Sequence, residues 1–570
     1  MSRMLAKIEG LTLLALILVA VAAGIAVVIL LGRLSPGMQP SPTSSPSPTT
    51  TPPSSPTTTP SPSPSPTPTL TTTTTPSPTT TETTTSPQTT PATSPTTSQP
   101  TYPEFPWLDQ LKSMTSERGV TLIVLTRHEQ SIQTETRKLF LDSPVAKELG
   151  ITNIQFIYAP AEEWVNYIIN AEKIGKPIDV AWGGGPTLFN NLDDSGFLLP
   201  IDSSKPVFQA IMYELNKIPA RIGGMETYKV DRNGMIHWIG ASVSSFGFTV
   251  NTLRLTQYQL PMPEKWEDLA RPEYARYLPD IPLVSTADPT MSTSNTRIFE
   301  IILQAKGWDE GWRILTLLAA NAIIYQSSSD ARDAVIRGDV AVGTTIDFYG
   351  YMAQQVNPDC KYIAPKNETI INSDPIAIVN TTRHLVHAIA FVAWVLNENG
   401  GQQVWLNKDI NRLPVNPKTF ETKQGAERSD LKKALEEAIG FQGIIFNETL
   451  SAEWVNAIVY YFKATLVNPH RDLQAVWAKI ANAYLENKIS REWFDYLTRY
   501  ISKPLEFTDP VTNSKVTFTV EYAIFINNYL NDQRIYQSLM TQWENLARDR
   551  YLKALDLLNN AISGQPVPSS

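Results

Sequence analysis

The sequence predicts an α/β fold, preceded by a transmembrane helix and a disordered stalk and followed by a C-terminal helical extension. Three observations lead to this prediction. Short β-favouring runs alternate with helical stretches between residues 104 and 420, which is typical of βαβ units and a parallel sheet. A long apolar segment and a tract rich in Ser, Thr and Pro come before this region. Helical patterns alone come after it.

Composition limits the possible functions. The chain has 570 residues, which is enough for roughly three or four domains of ordinary size. Its net charge of -8 and pI of about 5.4 argue against nucleic acid as a partner, because a nucleic-acid-binding protein carries a basic face. Cys360 is the only cysteine, so no internal disulfide can form.

Residues 1–33 are predicted to anchor the chain in a membrane. The segment Leu11–Gly32 is almost entirely apolar and is long enough to span about 30 Å of hydrocarbon. Basic residues before it favour an N-terminus on the inside. Two alternatives stay open. One is a cleaved signal peptide with an unusually long apolar core. The other is a prepilin-type signal processed at Gly10, although Glu9 departs from its usual basic pattern.

Residues 34–103 are predicted to form an extended stalk outside the cell. The tract is almost all Ser, Thr and Pro, and Glu82 is its only charged residue. This composition cannot bury a core and is typical of O-glycosylated, mucin-like stalks. Glycosylation acceptor patterns also occur further along the chain and agree with an extracellular location. They begin at Asn367, Asn380 and Asn447.

Strands and helices alternate through the region that follows the stalk. The predicted strands are Val120–Leu125, Ile154–Tyr158, the strand that ends at Trp182, Met235–Ser242, Ser245–Val250, Leu283–Thr286, Ile323–Tyr325, Val340–Thr344 and Ile376–Val379. The predicted helices include Gln133–Leu149, Ala161–Ile174, Asn295–Lys306, a helix that ends at Arg337, and Val386–Asn397.

A glycine-rich turn is the first candidate for a binding site. The apolar strand at residues 178–182 runs directly into Gly183, Gly184 and Gly185, and a helical segment follows. Glycine lets a ligand approach the backbone and leaves N–H groups uncovered. Ligands of open α/β sheets bind beyond the carboxyl ends of strands, often at helix N-termini. The alternative is a tight strand–helix turn that binds nothing.

Several segments of the chain resemble extracellular solute-binding proteins of ABC importers, in the group that binds ferric iron, thiamine and phosphonates. The resemblance covers about residues 119–417 and rests on the order and spacing of its segments. They are Asp179–Val180, Ser245–Thr252, Pro263–Leu269, Gly338–Gly343, Asp374–Ile378 and Arg412–Val415. It implies a periplasmic-binding-protein-like fold of type II, with two α/β lobes that close on a solute. Lobe one would span residues 104–245 and 375–420, and lobe two residues 250–372.

The resemblance places a set of polar and glycine residues in the interlobe cleft, near helix N-termini. Hydroxyls, free N–H groups and Arg127 suit a small anionic or densely polar solute. The serines and threonines could instead cap their own helices. The candidate ligand-binding residues are Thr126, Arg127, His128, Trp182, Gly183, Gly184, Gly185, Ser292, Thr293, Ser294, Ser327, Ser328, Asp347 and Tyr349.

Ferric iron would need a different set of side chains. Ferric binders of this group use a histidine, a glutamate and adjacent tyrosines. His128 matches the first position, but Gly184 stands where the glutamate would be, and Asp347 and Tyr349 lie near the tyrosine positions. A hard trivalent cation prefers anionic oxygen ligands, so we expect no metal. His128, Asp347 and Tyr349 would be its ligands if the solute were ferric iron. The alternative for His128 is a hydrogen-bonded loop histidine.

Residues 421–570 are predicted to form a helical extension that packs on lobe one, either as a structural support or to help dock a permease. The resemblance implies an ABC permease and its ATPase as partners, and we expect a monomer. The predicted helices are 429–439, 452–465, 473–486, 490–501, 520–532 and 536–562.

Enzyme motifs are missing from the sequence. There is no phosphate-binding loop, no HExxH zinc motif and no GxSxG elbow, so we expect neither catalysis nor a cofactor. Two alternatives stay open. One is a surface-anchored, glycosidase-like hydrolase that acts on a polymer and draws its carboxylates from Glu162, Glu163 and Asp347. The other is a structural surface-layer component.

Overall fold

The structure is a computed structural model that describes residues 101–568. The predicted anchor at residues 1–33 and the stalk up to residue 100 lie outside the described residues. Within residues 101–568, no helix combines the length and the apolar character needed to cross a membrane.

Lobe one is built around a mixed sheet. Its strands are β1 (Val120–Thr126), β2 (Ile151–Tyr158), β3 (Val180–Trp182), β12 (Ile371–Ile378) and the first half of β7 (Ile236–Asn251). β1 pairs in parallel with β2 and β3, whereas β12 runs antiparallel to both β3 and β7. The βαβ pattern predicts a parallel sheet, whereas the observed sheet is mixed because β12 runs antiparallel to its neighbours. The resemblance implies crossings between the lobes near Phe246–Asn251 and Asn372–Ile376, and β7 and β12 include these residues.

Strand β7 joins the two lobes. It has 16 residues, and its first half pairs with β12 while its second half pairs with β10 (Val342–Ile346) and β11 (Cys360–Ile363). The sequence analysis divided this strand into two, around Val243 and Ser244. Both residues pair with β12 in the same register, so the strand is continuous.

Lobe two carries the other half of the sheet. β10 pairs in parallel with β8 (Val284–Ala287), and β8 pairs in parallel with β9 (Ala322–Tyr325). The remaining short strands are β4 (Arg221–Ile222), β5 (Met225–Glu226), β6 (Tyr228–Val230), β13 (Leu413–Pro414), β14 (Glu506–Thr508) and β15 (Lys515–Thr517).

Helices cover both faces of the sheets in the two lobes. They are α1 (Leu108–Ser113), α2 (Gln130–Asp142), α3 (Pro144–Leu149), α4 (Trp164–Lys173), α5 (Pro186–Asp194), α6 (Gln209–Leu215), α7 (Thr252–Gln257), α8 (Thr293–Lys306), α9 (Trp308–Asn321), α10 (Ser328–Arg337), α11 (Asp347–Val356) and α12 (Leu385–Leu396). The sequence analysis joined α2 and α3 into one helix. Pro144 breaks it, because proline has no N–H to continue the helix, and the Ser143 side chain accepts from Ala146 N to start α3.

The C-terminal extension is helical, as predicted. Its helices are α13 (Lys423–Ala426), α14 (Ser429–Ile439), α15 (Glu448–Phe462), α16 (His470–Leu485), α17 (Arg491–Ser502), α18 (Val520–Asn527) and α19 (Gln533–Ile562). A π-helical turn, Lys463–Val467, follows α15 directly.

Most of the extension packs on lobe two, which corrects the prediction that it packs on lobe one. Only α14 joins the core of lobe one, whereas α15 to α19 share one continuous core with α8 and α9. Phe462 stacks on Phe299 of α8 with ring centroids 4.3 Å apart, and Trp477 Nε1 donates to Asn321 Oδ1 at 2.7 Å. The helices of the extension bury those apolar residues of α8 and α9 that do not pack against the rest of lobe two.

Candidate functional site

The two lobes meet where the strands of lobe one end and helices of lobe two begin. Tyr349 at the start of α11 donates its hydroxyl to Glu129 Oε1, at 2.8 Å. Glu129 directly precedes α2 and follows the end of β1. This hydrogen bond places the α11 end of lobe two against the β1 end of lobe one.

The extension also reaches this junction. Arg297 of α8 donates to Thr187 Oγ1 of α5 at 2.9 Å and to Glu448 Oε2 of α15 at 3.2 Å. Thr187 in turn donates to Glu448. Lobe one, lobe two and the extension are therefore connected by three side chains beside the glycine turn.

The glycine turn needs glycine for steric reasons. Gly183, Gly184 and Gly185 have φ values of +84°, +113° and +86°, which side-chain-bearing residues rarely adopt. A Cβ on Gly183 would lie 2.7 Å from His128 Nε2. Gly183 N donates to Pro375 O and Gly184 N donates to Asp374 Oδ1, at 2.8 and 2.9 Å. Two of the three N–H groups are therefore already used within lobe one.

An ion pair behind the turn was missed in the sequence. Arg412 Nη1 donates to Asp374 Oδ2 at 2.5 Å, and its guanidinium lies 4.4 Å from the ring centroid of Phe348 in lobe two. Both charged side chains are nearly buried. They are 38 residues apart in the sequence, so no local spacing relates them. Both residues do lie in segments that resemble solute-binding proteins, Asp374–Ile378 and Arg412–Val415. This resemblance is the one feature of the sequence that could have pointed to the pair.

His128 is enclosed in aromatic side chains. Its ring centroid lies 4.5 Å from that of Trp182 and 5.6 Å from that of Trp405, and its Nδ1 lies 3.7 Å from Asp374 Oδ2. Burial lowers the pKa of His128 to about 4, although Asp374 raises it and Arg412 lowers it further. The imidazole is therefore neutral at physiological pH and belongs to the core of lobe one. This arrangement favours the alternative of a loop histidine over a solute ligand.

The buried His128 should make stability depend on pH. Its folded pKa of about 4 lies below the ordinary value of 6.5, so the unfolded chain binds more protons between these values. The stability that this group contributes is complete above pH 6.5 and is lost as the pH falls to about 4. Between pH 7 and pH 4, the free energy of unfolding should therefore fall by about 3 kcal/mol less in His128→Gln than in the wild type. Urea unfolding of both proteins across this range measures the difference, and parallel curves would contradict it.

Trp182 lies in the core and not in the cleft. Its side chain is 0% exposed, and its ring contacts those of Phe391 and Trp405, with centroids 5.9 and 5.7 Å apart. Thr126 is equally buried, and its hydroxyl donates to Trp182 O at 2.8 Å and accepts from His128 N at 3.0 Å. The sequence predicts that both residues bind the solute, but in the structure both are buried and shape the loop. Side chains of a strand alternate between faces, and Trp182 faces the helices.

The serine hydroxyls that were candidates in lobe two make hydrogen bonds within lobe two. Ser292 accepts from Asn295 N and caps α8, and Ser327 accepts from Asp330 N and caps α10. Ser328 shares hydrogen bonds with the hydroxyls of Ser292 and Ser294. The helix-capping alternative therefore describes Ser292 and Ser327, whereas Ser294 and Ser328 bond to other side chains and Thr293 is exposed at the start of α8.

Asp347 is held inside the junction. Its Oδ2 accepts from Ser245 N at 2.7 Å, and its Oδ1 accepts from Phe348 N at 2.7 Å. Burial raises the pKa of Asp347 to about 7, against the opposing effect of these hydrogen bonds. With its oxygens engaged by backbone N–H groups, this carboxyl is not positioned as a free acid for glycoside cleavage.

The three side chains considered for ferric iron have separate partners. His128 faces Asp374, Asp347 faces Ser245, and Tyr349 bonds to Glu129. Among residues 101–568, one group of at least three His, Cys, Asp or Glu side chains could hold a metal ion. It lies elsewhere and comprises Glu117, His384 and His387.

Arg127 differs from the other candidate residues. It is partly buried at the end of β1 and makes no hydrogen bond or ion pair with any of the side chains that the structure describes, which do not include that of Glu162. A Cβ on Gly184 would lie 3.1 Å from Arg127 Cδ, so the side chain runs directly past the glycine turn. No side chain caps the adjacent N-termini of α2 and α5. The structure thus brings a positive charge and two uncapped helix N-termini together at this edge of lobe one.

The chain thus consists of two α/β lobes joined by the crossing strands β7 and β12, with polar loops where the lobes meet. Residues 143–433, just over half of the chain, match the family model described as bacterial extracellular solute-binding protein, and the chain therefore belongs to that family.

Individual relatives are more distant. The phosphoglycerate transport regulatory protein PgtC of Salmonella typhimurium is 27% identical over 195 residues, which cover 34% of this chain and 47% of PgtC. The match thus spans about half the length of the curated relative. The fructose-6-phosphate-bound periplasmic binding protein AfuA of Actinobacillus pleuropneumoniae is 18% identical, covers 57% of this chain and 99% of its own, and has a TM-score of 0.42. Iron-bound HitA of Pseudomonas aeruginosa is 16% identical, covers 55% and 99%, and has a TM-score of 0.41.

Proposed function

We propose that this protein is a membrane-anchored extracellular solute-binding protein that captures a small anionic solute between its lobes and delivers it to an ABC permease. The permease would lie in the same membrane, with its ATPase on the cytoplasmic side. The lobes would close around the solute by a hinge motion in the crossing strands β7 and β12.

One observation supports an anionic solute. The guanidinium of Arg127 has no partner among the described side chains, and it lies beside the turn that starts α5. The N-terminal ends of α2 and α5 carry partial positive charge and N–H groups without a side-chain cap. A guanidinium and free N–H groups bind phosphate and carboxylate oxygens strongly. A solute that carries such groups fits this edge of lobe one best.

The class of solute can be narrowed further. The related protein PgtC is named for phosphoglycerate transport. Phosphoglycerate carries a phosphate and a carboxylate, and both are anions of the type that Arg127 and a helix N-terminus can bind. We therefore propose a phosphorylated carboxylic acid or a similar small organic phosphate.

The anchor and stalk complete the proposal. The apolar segment Leu11–Gly32 would hold the chain in the membrane, and the Ser/Thr/Pro-rich tract would keep the lobes at a distance from the bilayer. O-glycans on the stalk and N-glycans at Asn367, Asn380 or Asn447 agree with exposure outside the cell. A single copy of the chain would suffice for binding.

Replacing Arg127 by alanine should weaken binding without affecting folding. We expect the affinity for 3-phosphoglycerate, measured by calorimetry on the full-length protein in detergent, to fall about 100-fold, because a charge-assisted hydrogen bond contributes roughly 1.5–3 kcal/mol. The melting temperature without solute should stay unchanged, since Arg127 has no partner among the side chains that the structure describes.

Arg232→Ala is the matched control, because Arg232 is an exposed arginine of lobe one that lies away from the glycine turn. It should bind 3-phosphoglycerate as the wild type does. Equal affinity in the Arg127 variant and the wild type would reject the site. Binding of glycerol, but of neither 3-phosphoglycerate nor inorganic phosphate, would reject the anionic solute.

A further inference from the structure

Glu117, His384 and His387 meet at the edge of lobe one that is opposite the cleft. Glu117 lies three residues before β1 begins, and the two histidines lie at the start of α12. His384 Nδ1 is 2.9 Å from Glu117 Oε1, and His387 Nδ1 is 3.7 Å from Glu117 Oε2. One ligand atom from each of the three residues lies within 4.8 Å of the others. The length of β1, roughly 20 Å, separates this cluster from Arg127.

The side chain of His387 indicates what the cluster is suited to hold. It is 1% exposed, and its Nε2 lies 3.3 Å from the carbonyl oxygen of Leu149. Since a carbonyl only accepts, Nε2 carries the hydrogen, and in the neutral ring the lone pair is then on Nδ1. Nδ1 is buried, makes no hydrogen bond of good geometry and faces the Glu117 carboxylate, although the ring also lies within reach of the backbone carbonyl of Glu117. A lone pair directed at these oxygens is repulsive unless a metal ion or a proton lies between them.

The same arrangement is found around bound metals. A histidine that ligates a metal usually donates its other ring N–H to a backbone carbonyl or a carboxylate, which fixes the ring orientation. Leu149 O has this role toward His387. His384 and His387 are three residues apart at a helix start, so both side chains can point to the same side.

We propose that Glu117, His384 and His387 bind a zinc ion. Imidazole and carboxylate ligands suit zinc, whereas magnesium and calcium prefer oxygen ligands alone. Tetrahedral zinc places its ligand atoms about 3.3 Å apart, given metal–ligand bonds of about 2.0–2.1 Å. Glu117 is exposed and His384 is partly exposed, so small side-chain rotations bring the three ligand atoms to that separation. A water molecule would take the fourth position.

The bound zinc would have a structural role. It would tie the segment before β1 to the first turn of α12, two parts of lobe one that are more than 260 residues apart. The competing arrangement is an ion pair, in which a proton on the imidazoles replaces the metal between them and Glu117.

Zinc binding to the full-length protein, without an affinity tag, tests the proposal. Metal-free wild type should bind a single zinc ion in calorimetry and should melt about 2–4 °C higher with saturating zinc. Cobalt, added as a spectroscopic probe, should give the strong visible absorption of tetrahedral Co²⁺. Millimolar magnesium or calcium should leave zinc binding unchanged.

Variants separate the metal site from the ion pair. Glu117→Gln and His384→Ala change surface side chains and should each weaken zinc binding at least about tenfold and abolish the cobalt absorption. Glu135→Gln, another carboxylate of lobe one, is the control and should behave as the wild type. Wild type that binds no zinc, or binds it equally well in both variants, overturns the proposal and leaves the ion pair. Neither result depends on the solute site.

Discussion

Replacing Arg412 by alanine is expected to lower the free energy of unfolding at pH 7 by about 3–5 kcal/mol, because it leaves the nearly buried carboxylate of Asp374 without its cationic partner. The variant also loses the contact between the guanidinium and Phe348, which connects the two lobes. Urea unfolding of the full-length protein at pH 7 measures the loss.

The pH dependence of this effect identifies its cause. Without Arg412, Asp374 acts on His128 unopposed, and the pKa of His128 should rise from its low folded value of about 4. The protonated imidazole would then partly replace the missing guanidinium, so the destabilisation should be smaller at pH 5 than at pH 7. Arg412→Lys keeps a charge at this position and should lose less than Arg412→Ala. A loss below 1 kcal/mol in the alanine variant would mean that the ion pair does not support the junction.

Replacing Trp182 by alanine is expected to cost about 3–5 kcal/mol of stability, which is typical for removal of a large aromatic side chain from a core. Trp182 is fully buried, and its ring packs against those of His128, Phe391 and Trp405. Its removal leaves a cavity directly beneath the glycine turn. The measurement is again urea unfolding, with solute affinity determined in parallel under conditions where the variant is folded.

Tyr158→Ala is the control for this prediction. Tyr158 is a large aromatic residue at the end of β2 in the same lobe, but it is 59% exposed, so its removal should change stability by less than about 0.5 kcal/mol. The sequence alone predicts that Trp182 lies in the solute site. A Trp182→Ala variant with normal stability and no solute binding would favour that view over a core role.

The order of the elements could be predicted from the sequence because their periodicity is local. Strand and helix patterns from residue 120 to residue 397 correspond to most of the elements of the two lobes, and the resemblance extended them to a two-lobe fold. Pairing partners could not be predicted in this way. The direction of β7 and β12 depends on how the chain crosses between lobes. Helix α9 was not predicted, because its apolar residues lie on nearly every side and give no amphipathic pattern.

In the candidate site, too, the order of the elements could be predicted, but the contacts of individual side chains could not. The resemblance placed the ends of β1 and β3 and the start of α11 at one cleft; in the structure β1 pairs with β3, and Tyr349 of α11 bonds to Glu129 beside the end of β1. The sequence could not tell which side chains point into the junction. Ser292 and Ser327 are used as helix caps, and Trp182 faces the core, whereas Asp374 and Arg412 pair across 38 residues.

The sequence also could not predict which lobe the C-terminal extension packs against. Its helices were recognised from their apolar periodicity, which says that a face must be buried but not against what. In the structure α14 covers lobe one, whereas α15 to α19 cover the exposed faces of α8 and α9. Local patterns of apolar and polar residues thus predicted the α/β class of the lobes and the helical extension, and the order and spacing of the resembling segments predicted the family. Burial and long-range pairing, which depend on contacts between distant residues, decided which side chains remain free for a solute or a metal.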